Sequence, residues 1–352
     1  MTLPTEPIGS IPRPAYLIDA LTDYGNGRIS EEALNQLSRR ALQETILALE
    51  HTGAPVITDG EQTKPSFATY PIHGASNLSP TGVVIPFKDG HTRQLPVLTS
   101  GPFRYQRYAD DYLHEARSLT TRPLKQAVIS PSALSLLYPA EAILNYSREQ
   151  FIADLLDEAE QDIRRCLDGA AFNVQIDFTE GRLAVKLDPT KSLLRMFIDL
   201  NNQLLGRFTS EERKRIGIHS CPGGDHDSTH SADVDYGDLL PDLFQLEAGN
   251  FYLTFAGERD KTTVLKHIRK SLKPGQRVFL GVTDVLSPRI ETPEEIASLL
   301  VEAASYIPPD QLGSCDDCGF SPFADDRSTA REIAFSKIKA RVQGTHLAAS
   351  KL

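Results

Sequence analysis

Tryptophan is missing altogether from these 352 residues, methionine occurs twice and cysteine four times. No indole can take part in binding, and four cysteines are too few for the dense disulfide framework of small secreted domains. One of the four, Cys166, falls inside a helical pattern from Glu149 to Leu167, where a buried free thiol is expected. No run of about 18 apolar residues occurs, and the opening residues 1–7 lack a basic segment followed by an apolar one. A soluble, cytoplasmic protein with no membrane partner is expected. Positive charge is in short supply too: 37 Lys and Arg stand against 47 Asp and Glu, a formal net charge of -10. That balance disfavours nonspecific binding to nucleic acid or to an anionic membrane. Small molecules are the expected partners, and self-association into a homo-oligomer is compatible with the composition.

Three of the four cysteines fall in two short segments. The first, residues 216–225, reads as a buried strand that ends in His219-Ser-Cys221 and is broken by Pro222, Gly223 and Gly224. Alternate side chains of an extended strand share a face, so His219 and Cys221 point the same way. The second, residues 312–319, contains Cys315 and Cys318. Each has a plainer reading by itself: a packed histidine beside a buried thiol, and a redox pair or two core residues. Together they favour zinc, which takes mixed nitrogen and thiolate ligands and, when held by three protein ligands, keeps a coordination position for substrate.

The remaining pattern is regular. Residues 7–13 form a strand-like start with a Gly9-Ser10 kink whose N–H groups could receive a carboxylate. Ser30 caps a helix to about His51, and residues 54–61 read as a strand ending in Asp59 and Glu61. An irregular, hairpin-containing insertion covers about 62–121, with the hairpin near Val83 to Leu98. Its aromatic and basic segment, Phe103 to Tyr108, either stacks on a planar ligand or covers a loop. Strands and helices then alternate to the last helix, Ser328 to about Gln343. Strand ends at Ser10, Gly60, Ser130, Asp177, Cys221, Ala256, Asp284 and Cys318 make eight β/α units, so an α/β TIM (β/α)8 barrel is expected as one domain over 1–352. Strand carboxyl ends converge in that fold, which would gather Ser10, Asp59, Glu61, Asp177, His219, Cys221, Asp284 and Cys318 into one site.

Six motifs in order carry a family resemblance: Ile8-Gly-Ser10, Asp59-Gly-Glu61, Gln175-Ile-Asp177, His219-Ser-Cys221, Asp284-Val-Leu-Ser-Pro-Arg289 and Asp317-Cys-Gly319. The sequence resembles the catalytic barrel of cobalamin-independent methionine synthases and their shorter zinc-dependent thiol alkyltransferase relatives, of the methionine synthase and uroporphyrinogen decarboxylase-like barrel type. The resemblance implies Zn2+ on His219, Cys221 and Cys318 with a glutamate as fourth ligand, for which barrel position favours Glu258 over Glu247. It also implies that Ser10, Glu61 and Asp177, with Asp59 beside them, hold the polar end of a homocysteine-like acceptor, and that Asp284 is catalytic. The implied reaction is alkyl transfer to a thiol. Leu286 stands where the resembled motif has a histidine, Phe178-Thr-Glu-Gly181 follows Asp177, and only Tyr138 and the 103–108 segment could replace a missing indole platform. Methyltetrahydrofolate is therefore expected to serve slowly or not at all as donor, and a methylated corrinoid or another small electrophile to serve better. Addition of a thiol to an epoxide, zinc hydrolysis and a metal-free binding barrel stay open at this point.

Overall fold

Six short runs, Gln126–Ile129, Val174–Asp177, Ile216–Ser220, Asn250–Leu253, Arg277–Gly281 and Leu312–Cys315, pair in chain order as one parallel sheet. Their side chains are buried on both faces, with Arg277 alone exposed. Such two-sided burial is what a parallel sheet clothed by helices requires. The computed structural model of the chain describes residues 2–352.

Two further staves close the ring without forming regular strands. Thr5 bridges Ser314 on one edge and Ile57 bridges Leu124 on the other, both in parallel. The two staves meet through Ile11 N donating to the Gly60 carbonyl at 3.0 Å and Thr58 Oγ1 donating to the Gly9 carbonyl at 2.8 Å. Pro4, Pro7, Pro12 and Pro55 remove ladder donors here, which limits both segments to isolated bridges. The fold is a TIM-type barrel of eight staves, as expected, with the first two irregular. The expected strand at Cys318 is also displaced: pairing stops at Gly281 with Cys315, and Cys318 lies on the loop beyond.

Helix starts follow the sequence closely, because their caps are local chemistry. Ser30, Ser147 and Thr292 each accept a backbone N–H from the residue three positions on, and the last two complete a capping box. Three helices of eight residues or more were not expected, the first being Ala15–Gly25, which opens directly after Pro14. Ala109–Arg117 lies inside the supposedly irregular insertion, and Glu180–Leu187 follows the Asp177 strand. The helix Glu180–Leu187 is masked by Gly181, whose missing Cβ is required because a Cβ there would sit 2.4 Å from the Phe178 ring.

The barrel floor is polar. Tyr252 donates its hydroxyl to Glu6 at 2.6 Å, Asn173 donates to the other Glu6 oxygen at 2.8 Å, and the buried Lys125 ammonium lies 3.7 Å from Glu6 and 3.6 Å over the Tyr252 ring. Four staves are tied together through one carboxylate. Among the described residues, no helix is long and apolar enough to cross a membrane.

Candidate metal centre and active site

The strand Ile216–Ser220 carries His219 to its carboxyl end, and Cys221 follows at once. Cys318 reaches the same point from the loop after the last strand, so that the ligand atoms of His219, Cys221 and Cys318 all lie within 4.8 Å of one another. The two sulfurs are 2.9 Å apart. The hydrogen bond between them holds the Cys318 thiol well below its ordinary range and pushes Cys221 up. His219 is buried, and its Nδ1 lies 3.1 Å from the Tyr252 carbonyl, which can only accept. Nδ1 therefore carries the proton and Nε2 the lone pair. That Nε2 is buried without a hydrogen-bond partner among the described residues. An orphaned imidazole nitrogen beside two sulfurs, with its ring oriented by a carbonyl, fits a zinc site. Cys315 points elsewhere: its thiol donates to the Phe279 carbonyl at 3.4 Å, among Ile8, Tyr252 and Phe279.

A cavity opens on each side of Cys318. The first is walled by Ser10, Glu61, Gln175 and Asp177 from strand ends, by His219 and Cys318 at its base, and by Phe67 and Phe323. Over it lies the hairpin Val84–Pro86 with Thr92–Gln94, which contributes Ile85, Phe87 and Arg93. The second cavity holds Asp284, Leu286, Glu258 and Arg182, and is the roomier, about 540 Å³ against about 70 Å³.

The carboxylates sort differently from their sequence grouping. Glu61 has φ 55, a left-handed backbone supported by its own N–H donating to Asp59 Oδ1 at 3.0 Å. Arg13 donates to the carbonyls of Glu61 and Lys64 at 2.6 Å and 2.8 Å. The turn thus aims Glu61 at the cavity and leaves Asp59 behind it, outside the wall. Burial pushes the Glu61 carboxyl up to about 7, against the pull of the buried Lys64 ammonium 3.3 Å away. Glu258 is not brought to the trio; Arg182 holds its carboxylate at 2.6 Å. Asp284 accepts the Leu286 N–H at 3.0 Å and faces the second cavity.

Sequence reasoning missed Phe67, Ile85, Phe87, Arg93, His230 and Phe323. The hairpin was legible, but nothing in a short hairpin says which strand ends it will overhang. Tyr138, Phe103 and Tyr105, the anticipated stacking residues, are buried in the core, and the Tyr138 hydroxyl is spent on the Tyr146 carbonyl at 2.8 Å.

The curated methionine synthase of Sulfurisphaera tokodaii is 24% identical over 353 residues, covering 99% of this chain and 94% of its own length. That of Thermococcus kodakarensis is 23% identical over 354 residues, with the same coverage of 99% and 94%. Among solved structures, a B12-independent methionine synthase from a Shewanella species, in complex with selenomethionine, superposes with TM-score 0.77 at 20% identity, covering 100% of this chain and 99% of that one. A putative vitamin-B12 independent methionine synthase from Listeria monocytogenes gives 0.74 at 20% identity, again over 100% and 99%. The family model described as the catalytic domain of cobalamin-independent synthase matches residues 3–343, and the chain belongs to that family.

Proposed function

We propose that this chain is a zinc-dependent methyltransferase that passes a methyl or similar small alkyl group from a donor to the sulfur of a homocysteine-like thiol. The single observation that carries the reading is the lone-pair nitrogen of His219, buried beside Cys221 and Cys318 and without a hydrogen-bond partner among the described residues. When bound there, zinc supplies Lewis acidity that lowers the pKa of a coordinated thiol into the neutral range.

The rest is work for the chain itself. Ser10, Glu61 and Asp177 hold the polar end of the acceptor in the narrow cavity, with Asp59 fixing the turn that presents Glu61. Phe87 and Phe323 wall that cavity with apolar surface and keep water from the sulfur. The donor takes the second cavity, on the other side of Cys318, so the two substrates meet across that sulfur and transfer is a matter of orientation. Asp284 lies on that donor side. Its rim carries Asp233, Asp235 and Asp260 against Arg259, a poor match for a polyanionic folate tail. A methylated corrinoid or another small electrophile is the better donor. Glu258 becomes a fourth ligand only by leaving Arg182. The family match over residues 3–343 supports a single domain, and the enzyme is proposed to act in the cytoplasm.

The test is to load the purified protein with zinc, add a thiol, and record zinc-edge absorption before and after supplying donors. A new sulfur neighbour at the metal followed by methylated thiol supports the reading; a metal-loaded protein that neither gains sulfur nor methylates any thiol would sink it.

A further inference from the structure

Sheet register shows what stands beside the three candidate ligands on the neighbouring strand. Asn250–Leu253 runs parallel to Ile216–Ser220, with Tyr252 beside His219 and Leu253 beside Ser220. Thr254 N donates to the Ser220 carbonyl at 3.4 Å, which carries the pairing on and sets Thr254 level with Cys221. Its side chain lines the second cavity together with Cys318. The Thr254 hydroxyl donates to the carbonyl of Asp317, the residue before Cys318, at 2.9 Å, with the Ser220 carbonyl at 3.5 Å as a weaker acceptor. The strand end level with the trio thus carries a neutral hydroxyl whose proton is committed elsewhere. Zinc in proteins takes thiolate, imidazole and carboxylate ligands, and this residue offers none of them.

The carboxylates nearby are held away. Phe255 N and Ala256 N each donate to Asp317 Oδ1 at 2.8 Å, and Gly257 N donates to Oδ2 at 2.7 Å. Both oxygens of Asp317 are therefore spent on the turn that follows Thr254. Glu258, next after that turn, pairs with Arg182, which is itself anchored by donating to the Val234 carbonyl at 2.6 Å. Glu247 lies before the other end of the strand and pairs with Arg213 at 2.8 Å. Glu61 and Asp177 face the narrow cavity. Among the described residues, no further His, Cys, Asp or Glu joins the group of His219, Cys221 and Cys318.

Charge follows from this count. Two thiolates and a dication sum to zero, whereas a carboxylate in the set would leave the buried centre negative. An incoming thiolate then has no net like charge to work against, which matters most where water does not screen it.

We infer that Thr254 is a positioning residue that keeps the fourth coordination place free of protein, so that solvent fills it at rest and a thiol takes it without displacing a side chain. The inference rests on the proposed zinc site and adds to it a residue that no sequence motif marked.

The test loads the full chain with cobalt(II) in place of zinc. Pulsed electron–nuclear double resonance is recorded in water enriched in the magnetic oxygen isotope, before and after mercaptoethanol is added. A coupling from labelled solvent that the thiol abolishes is expected. Thr254→Glu, which puts a carboxylate at that strand end, should remove the solvent coupling. It should also slow loss of the metal to a chelator at least about tenfold, the lower end of what groups supporting a metal ligand contribute. Thr254→Val keeps the shape without the hydroxyl and should keep the coupling. Circular dichroism melts of the metal-free variants check folding, and the wild-type spectrum decides by itself if Thr254→Glu does not fold. No solvent coupling in the wild type, a folded Thr254→Glu that behaves like it, or loss of the coupling in Thr254→Val would overturn the inference. The two readings fail separately: a chain that binds no metal removes the proposed zinc site, and metal held by four protein ligands removes this inference alone.

Discussion

Arg93 grips Asp225 through two nitrogens, Nε to Oδ2 at 2.5 Å and Nη2 to Oδ1 at 3.1 Å. The carboxylate is fully buried and the guanidinium a quarter exposed. The same guanidinium reaches Asp325 at 2.8 Å and lies 4.2 Å over the Phe323 ring. One side chain thus joins the overhanging hairpin to the loop after Cys221 and the loop after Cys318.

Arg93→Ala should release the hairpin and leave Asp225 buried without its strongest partner. A loss of about 1–3 kcal/mol is expected, with faster hydrogen exchange confined to residues 84–94 and the Gly224–Asp225 loop. Exchange there that matches the wild type would show that the pair is ornamental.

The metal assignment separates the cysteines. Cys221→Ser and Cys318→Ser should each lose zinc on dialysis, while Cys315→Ser, whose thiol faces the Phe279 carbonyl, keeps it. Elemental analysis decides: full zinc in both of the first two variants removes the site. Glu258→Gln is expected to retain metal, because Arg182 already occupies that carboxylate; loss would place Glu258 in the ligand set.

At the barrel floor, Glu6→Gln strips the partner from the buried Lys125, whose pKa burial already lowers to about 8. Removing one member of such a pair costs about 3 kcal/mol. Adding Lys125→Met should recover part of that loss in urea denaturation. Equal or greater loss in the double variant would mean that the cation is not what suffers.

Asp162 gives a pH signature far from the metal. Burial pushes its carboxyl from 3.8 up to about 6, although Tyr70 O–H and Ala109 N–H donate to it. The folded state therefore holds this proton more tightly than the unfolded chain, and the stability it contributes is full below 3.8 and lost as pH rises through 6. Asp162→Asn lacks the titration, so its deficit relative to wild type should shrink by about 2–3 kcal/mol between about pH 4 and about pH 7. A constant deficit would show that Asp162 keeps an ordinary pKa.

What the chain discloses in one dimension follows from the range of the forces involved. Caps at Ser30, Ser147 and Thr292 and the two-sided apolar strands are short-range chemistry, and they stand where the sequence places them. The irregular first two staves were harder to read, because proline removes the ladder while closure depends on partners far along the chain, Leu124 for Ile57 (124 − 57 = 67 residues on) and Ser314 for Thr5 (314 − 5 = 309 residues on), contacts that loop closure and no local pattern decides. His219 and Cys221 could be paired by strand alternation, whereas joining Cys318 to them needed the barrel. His230 gave no signal, since its place in the cavity wall comes from a loop fold and from the absence of a side chain at Gly223.

The order of synthesis gives the metal centre a clock. Cys318 follows Cys221 by 97 residues, so at about 5–20 residues per second the second sulfur emerges roughly 5–20 s after the first. During that interval the nascent chain offers half a site, and the outer edge of the amino-terminal stave waits for Ser314. Ion capture by all three side chains would then report that translation has passed the last strand and that the two ends of the polypeptide have met.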